Sequence, residues 1–134
     1  MDIILDTHIL IWALEDDPVL SQNAKELIND PDNNIYFSAV SVMEISIKHM
    51  KNPALMKKSG KDLYEKGLEA GYYTMPLKPK HAVCLDDLQV KESGLVNHDP
   101  FDRALIAQAK REKMFLMTSD SAMKYYDEPC IMMI

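Results

Sequence analysis

The sequence predicts an α/β fold: a mostly parallel central sheet flanked by helices, layered as a three-layer sandwich. Three observations predict it. Short apolar runs ("DIIL", "NIYFSAV", "YYTMPL", "MFLMT" and "CIMMI") recur along the chain, and segments with helical spacing lie between them. Strands that alternate with helices pair in parallel, because each helix returns the chain to the same end of the sheet. The 134 residues are 47% hydrophobic with four glycines, enough apolar surface for the core of one domain spanning residues 1–134.

Taken in order, "DIIL" (2–5) is a strand ended by Asp6-Thr7, and "HILIWALE" (8–15) puts Ile9, Trp12 and Ala13 in helical phase. Ser21 opens a second helix, "QNAKELIND" (22–30), which Pro31 stops. The aromatic and branched run 34–40 reads as a strand. "SVMEISIKHMK" (41–51) follows as a helix with Val42, Ile45 and His49 in phase. Residues 59–71 open with a Ser59 cap and close at Gly71; the strand 72–77 is halted by Pro76. Pro79 suits the first turn of a helix in "KPKHAVCLDDL" (78–88). "DPFDRALIAQAKREK" (99–113) is the clearest helix, followed by the strand 114–118, a short helix from Ser121 and the last strand 130–134.

No apolar run reaches the roughly 18 residues of a membrane span. The N-terminus carries Asp2 and Asp6 and lacks a basic region, so it does not read as a signal peptide. Cys84 and Cys130 have neither metal nor disulfide-framework spacing and read as reduced thiols, in keeping with a cytosolic protein. The charge is −6, from 21 acidic and 15 basic residues, which taken alone argues against a nucleic-acid partner. Yet Lys48, Lys51, Lys57, Lys58, Lys61 and Lys66 make 48–66 locally basic, with Asp62 and Glu65 to offset them. That run is either a solvated surface or a track for a polyanion.

In a parallel α/β layout, residues that follow a strand or open the next helix share the carboxyl edge of the sheet, where ligands bind. Four acids meet this condition: Asp6 after the first strand, Glu44 and Asp102 in first helical turns, and Asp120 after "LMTS". Each also has a local explanation. Asp6 or Thr7 can cap the first helix, and Ser41-Val-Met-Glu44 fits a capping box. Asp99 can cap a helix with Pro100 at its first position and Asp102 favoured by the helix dipole; Ser119 or Asp120 can cap the last short helix.

Taken together the local explanations weaken. Carboxylates gathered on one rim repel by kilocalories at short range, unless their pKa values rise or a cation sits among them. An oxygen-only donor set selects Mg²⁺ or Mn²⁺, and such a centre serves phosphodiester hydrolysis. With Asp99, these acids account for five of the six net negative charges, so the acidity is local.

The blocks "ILDTHILIWAL", "SAVSVMEI", "HDPFDRALIAQA" and "LMTSD" resemble, in order, the four signature blocks of the PIN domain, in particular the VapC-like toxins of toxin–antitoxin pairs. The resemblance spans residues 2 to about 120; 52–95 matches no signature. It implies a PIN-like sandwich and a metal-dependent ribonuclease, usually a homodimer, silenced by an antitoxin whose C-terminal segment covers the site. It places the acidic residues on Asp6, Glu44, Asp102 and Asp120, with Mg²⁺ or Mn²⁺ held chiefly by Asp6 and Asp102. Asp99 then caps the helix and supports Asp102. Thr7, Thr118 and Ser119 orient carboxylates or water, or are simply turn hydroxyls. Lys48, Lys51 and Arg103 are the candidate contacts to RNA, although Arg103 can equally pair with Asp99.

Two other classes compete. A non-catalytic acidic module would use the same rim to bind a partner protein. A haloacid-dehalogenase-type phosphatase would also place an aspartate after its first strand, but its "DxDxT" pattern requires an acid where this chain has His8. The pattern does not separate RNA from DNA as substrate.

Overall fold

The computed structural model describes residues 1–91 and 96–134. Strands β1 (Asp2–Leu5), β2 (Asn34–Ser38), β3 (Tyr73–Met75), β4 (Phe115–Thr118) and β5 (Ile131–Met133) form one sheet in the order β3-β2-β1-β4-β5. Every neighbouring pair is parallel. Helices α1 (Thr7–Glu15), α2 (Gln22–Asn29), α3 (Ala39–Lys51), α4 (Gly60–Glu69), α5 (Pro79–Val83) and α6 (Pro100–Glu112) make the crossovers. The chain steps outward from β1 to β2 and β3, then returns to the other side of β1 for β4 and β5. The crevice between the carboxyl ends of β1 and β4 is therefore the switch point of the sheet, the place where such folds bind ligands.

Side-chain alternation builds the two outer layers. Ile3 and Leu5 of β1 and Met117 of β4 pack with Ile9, Leu10, Ala24, Ile45 and Leu63 on one face. Ile4 and Leu116 point to the other face, against Leu105, Ile106 and Ala109 of α6. A central strand buried on both sides needs apolar residues at every position, hence the unbroken "IIL". The α/β sandwich is thus as expected.

Most helix starts also agree. The Ser21 side chain accepts from the Ala24 N–H at 3.2 Å, Ser59 forms a reciprocal capping box with Asp62, and Asp99 caps α6. The β2–α3 junction differs. The strand stops at Ser38, whose hydroxyl accepts from the Val40 N–H at 2.9 Å and donates to Gln108 Oε1 at 2.6 Å. The expected Ser41–Glu44 capping box therefore does not form, and Glu44 lies in the second turn of α3 instead of the first. Residues 78–88 also split: α5 is followed by a 3-10 turn, Cys84–Asp87. Both cysteines are free thiols, and no helix of the described residues is long and apolar enough to cross a membrane.

Candidate active site

Asp6 is the first residue beyond β1 and sits at the switch point. Its N–H donates to the Met117 carbonyl of β4 at 2.9 Å, which extends the pairing by one residue and fixes the backbone. Its Oδ1 accepts from the Thr7 N–H and its Oδ2 from the Thr118 hydroxyl, each at 2.6 Å. The side chain is only 4% exposed. Burial raises its pKa above the usual carboxylate value against the lowering effect of those two bonds; Glu44 adds to the rise and His8 opposes it.

Glu44 is buried beside it. Thr7 Oγ1 donates to Glu44 Oε1 at 2.9 Å and lies 2.8 Å from Ser41 Oγ. Lys48, one turn along α3, reaches Glu44 Oε2 at 2.6 Å. Ser41, expected to cap, is instead a buried helix residue facing Thr7. Thr7 thus joins Asp6 to Glu44, its N–H on one acid and its hydroxyl on the other.

On the far side of the crevice stands Asp102, in the first turn of α6. Its pKa is pushed up to about 7, chiefly by burial; the carboxylates of Asp99, Asp6 and Asp120 add to the rise, and a hydrogen bond from Asn97 opposes it. Asp99 is exposed, and its Oδ1 accepts from the N–H groups of Phe101 (2.8 Å) and Asp102 (3.3 Å), the capping expected of it. Asp120 is exposed too. Its N–H donates to Thr118 Oγ1 at 3.1 Å, and its Oδ1 accepts from the Ala122 N–H at 2.9 Å, capping the 3-10 turn Ser121–Tyr125. Ser119 is exposed beside it.

Asp102 is thus near Asp6, Asp99 and Asp120, and Asp6 near Glu44, but the acids do not form a closed ligand cage. Among the described residues no three His, Cys, Asp or Glu side chains are grouped to hold a metal ion as they stand. The reason is local: Thr7 and Thr118 hold Asp6, Lys48 and Thr7 hold Glu44, Asn97 holds Asp102, and the Ala122 N–H holds Asp120. The chemistry of the donor set nevertheless fits a hard divalent cation. The residues offer carboxylate oxygens, and burial, with Asp99, Asp6 and Asp120 adding to it, raises the pKa of Asp102 to about 7.

The basic candidates divide. Lys48 spends its ammonium on Glu44, at the rim of the crevice, while Lys51 ends α3 exposed. Lys58 pairs with Glu15 of α1 and Lys61 with Glu65, so part of the positive charge of the run 48–66 is already paired. Arg103 does not pair with Asp99. Its Nε donates to the Tyr126 hydroxyl at 2.9 Å, and its Nη2 lies 2.8 Å from His98 Nδ1. Asn97 carries no signal in the sequence pattern. It stands two residues before the helix cap, a position at which asparagine ordinarily signals only a turn.

A parallel α/β domain with carboxylates around the switch point, the first held just after β1, is a defined structural class. The chain belongs to the PIN domain family, whose model matches residues 3–129. PIN domains are generally nucleases, and PIN nucleases typically use divalent metals. A search of curated proteins finds no match. Among solved structures the chain is similar to the crystal structure of VapBC2 from Rickettsia felis bound to a DNA fragment from their promoter. The TM-score is 0.70 and the identity 19%, over 100% of this chain and 98% of the other; the likeness is one of fold.

Proposed function

We propose that this chain is a metal-dependent ribonuclease, the toxin of a cytoplasmic toxin–antitoxin pair, and that it works as a homodimer restrained by a cognate antitoxin. The observation that carries the reading is the gathering of Asp6, Asp99, Asp102 and Asp120 about the β1–β4 switch point, close enough that three of them raise the fourth. The partner assignment is supported by the VapBC complex among its structural neighbours.

In this reading Asp6 and Asp102 hold Mg²⁺ or Mn²⁺, and Glu44 and Asp120 complete the shell directly or through water. When bound, such an ion lowers the pKa of a water and offsets charge on the phosphate. The protein's part is to hold its carboxylates ready. Thr7 and Thr118 fix both oxygens of Asp6, and the Lys48 ammonium and the Thr7 hydroxyl each hold one oxygen of Glu44. Asp99 holds the start of α6 so that Asp102 faces the crevice, and Ser119 is available to orient water. Lys48, Lys51 and Arg103 supply positive charge for the RNA backbone, so affinity falls as salt rises.

The test is direct. Purified protein free of antitoxin should cleave RNA with Mg²⁺ or Mn²⁺ and stop in EDTA, and Asp6→Asn should remove nearly all turnover without unfolding the chain. Undiminished cleavage in EDTA would overturn the mechanism, and cleavage of DNA alone would overturn the substrate.

A further inference from the structure

We propose that Asn97 is a positioning residue for Asp102, fixing the orientation in which that carboxylate takes a divalent cation; the inference rests on the nuclease reading above. Asn97 is buried, 6% exposed, although it lies in the loop before α6. Its Nδ2 donates to Asp102 Oδ2 at 3.0 Å and lies 3.4 Å from the carbonyl of Ala122. Its Oδ1 accepts from the Asp99 N–H at 2.9 Å, and its own carbonyl accepts from the Tyr126 hydroxyl at 2.5 Å.

These partners fix which end of the amide faces which group. Turned over, the amide would set its oxygen against the Asp102 carboxylate and its NH₂ against the Asp99 N–H, an acceptor facing an acceptor and a donor facing a donor. Asn97 therefore has one orientation, and in it both N–H groups point at acid-bearing segments. One goes to Asp102 itself, the other to the turn that Asp120 caps. The Asp99 cap, by contrast, reaches only the backbone of α6 and does not touch the Asp102 carboxylate. Among the side-chain hydrogen bonds of the described residues, the one made by the Asp102 carboxylate comes from Asn97. With Oδ2 held there, Asp102 presents Oδ1 as the oxygen left for a cation. Groups that orient a metal ligand in this way typically contribute 10–100-fold to metal affinity.

The experiment is Mn²⁺ binding by calorimetry on the intact chain, with thermal midpoints recorded alongside. Asn97→Ala should weaken Mn²⁺ binding by about 10–100-fold. Tyr126→Phe removes the hydrogen bond to the carbonyl of the same residue but leaves the Asp102 contact, and should lower the midpoint without changing the affinity. If Asn97→Ala proves too unstable, Asn97→Ser serves. Its hydroxyl can still accept from the Asp99 N–H but is too short to reach Asp102, so the same loss of affinity is expected with a smaller loss of stability. Unchanged affinity in the Asn97 variants, or equal losses in these and Tyr126→Phe, would overturn the proposal. Asp102→Asn separates the two levels. If it binds Mn²⁺ as well as wild type, the metal reading of Asp102 falls and this inference with it. If it loses binding while the Asn97 variants do not, the inference alone falls.

Discussion

Asp102 carries a cost that a metal-free protein must bear. Burial and three neighbouring carboxylates hold its pKa near 7, against 3.8 for an ordinary aspartate. The native state therefore keeps a proton that the unfolded chain gives up. The stability from that proton is complete below 3.8 and is lost as pH rises through about 7. Asp102→Asn replaces the group with a neutral amide of the same shape, which can still accept from Asn97. In EDTA the variant should match wild type in acid and melt a few degrees higher above neutrality; a lower midpoint there would show that the charge is already compensated. Asp6 and Asp102 were legible in the sequence because their positions, just past a strand and just inside a helix, follow from the local pattern. Asn97 was not, since its role depends on the fold of the loop before α6; Lys48 reads from the sequence as an RNA contact, and the structure also pairs it with Glu44 one turn back.

α4 approaches α3 closely at Gly60. A Cβ added at Gly60 would stand 1.8 Å from Ser46 Oγ and 2.8 Å from the carbonyl oxygen of Val42. The serine can rotate, but the carbonyl belongs to the α3 backbone, so the two helices must part. Gly60→Ala should therefore cost about 1–3 kcal/mol, more than the small gain alanine brings in helix propensity, read as a lower urea midpoint with an unchanged slope. A midpoint equal to or above wild type would mean that the helices slide apart freely. The same helix shows what local patterns cannot resolve. Ser38 and Ser41 are both acceptable caps, three residues apart in "SAVSVME", and the Ser-x-x-Glu spacing points to the second. The choice is made by Gln108, seventy residues away, which accepts from the Ser38 hydroxyl. That bond goes with an earlier end of β2 and leaves Glu44 in the second turn of α3.

At the scale of the whole molecule, the order β3-β2-β1-β4-β5 brings the first and fourth strands side by side, so residues 6 and 118 share a hydrogen bond. The alternation of strands and helices made this layout readable, and the motif blocks made the family readable. The side-chain contacts about Asp6 and Asp102 are encoded by neither pattern. Under the proposed function, folding and metal binding are linked through the same carboxylates. A cation binds the ionised forms, and in the free protein both Asp6 and Asp102 are raised above the ordinary value. Below about 7 the folded protein keeps a proton on Asp102 where the proposed cation would sit; above about 7 that proton is gone and the buried charge is left without a partner. A ligand that binds only the folded state stabilises it by about 2.7 kcal/mol at one hundred times its dissociation constant. The increase in melting midpoint caused by a fixed excess of Mn²⁺ should accordingly be near zero in acid and grow through neutrality, and it should vanish in Asp6→Asn. An increase independent of pH, or one that survives Asp6→Asn, would place the cation elsewhere on the surface and remove Asp6 and Asp102 from its shell.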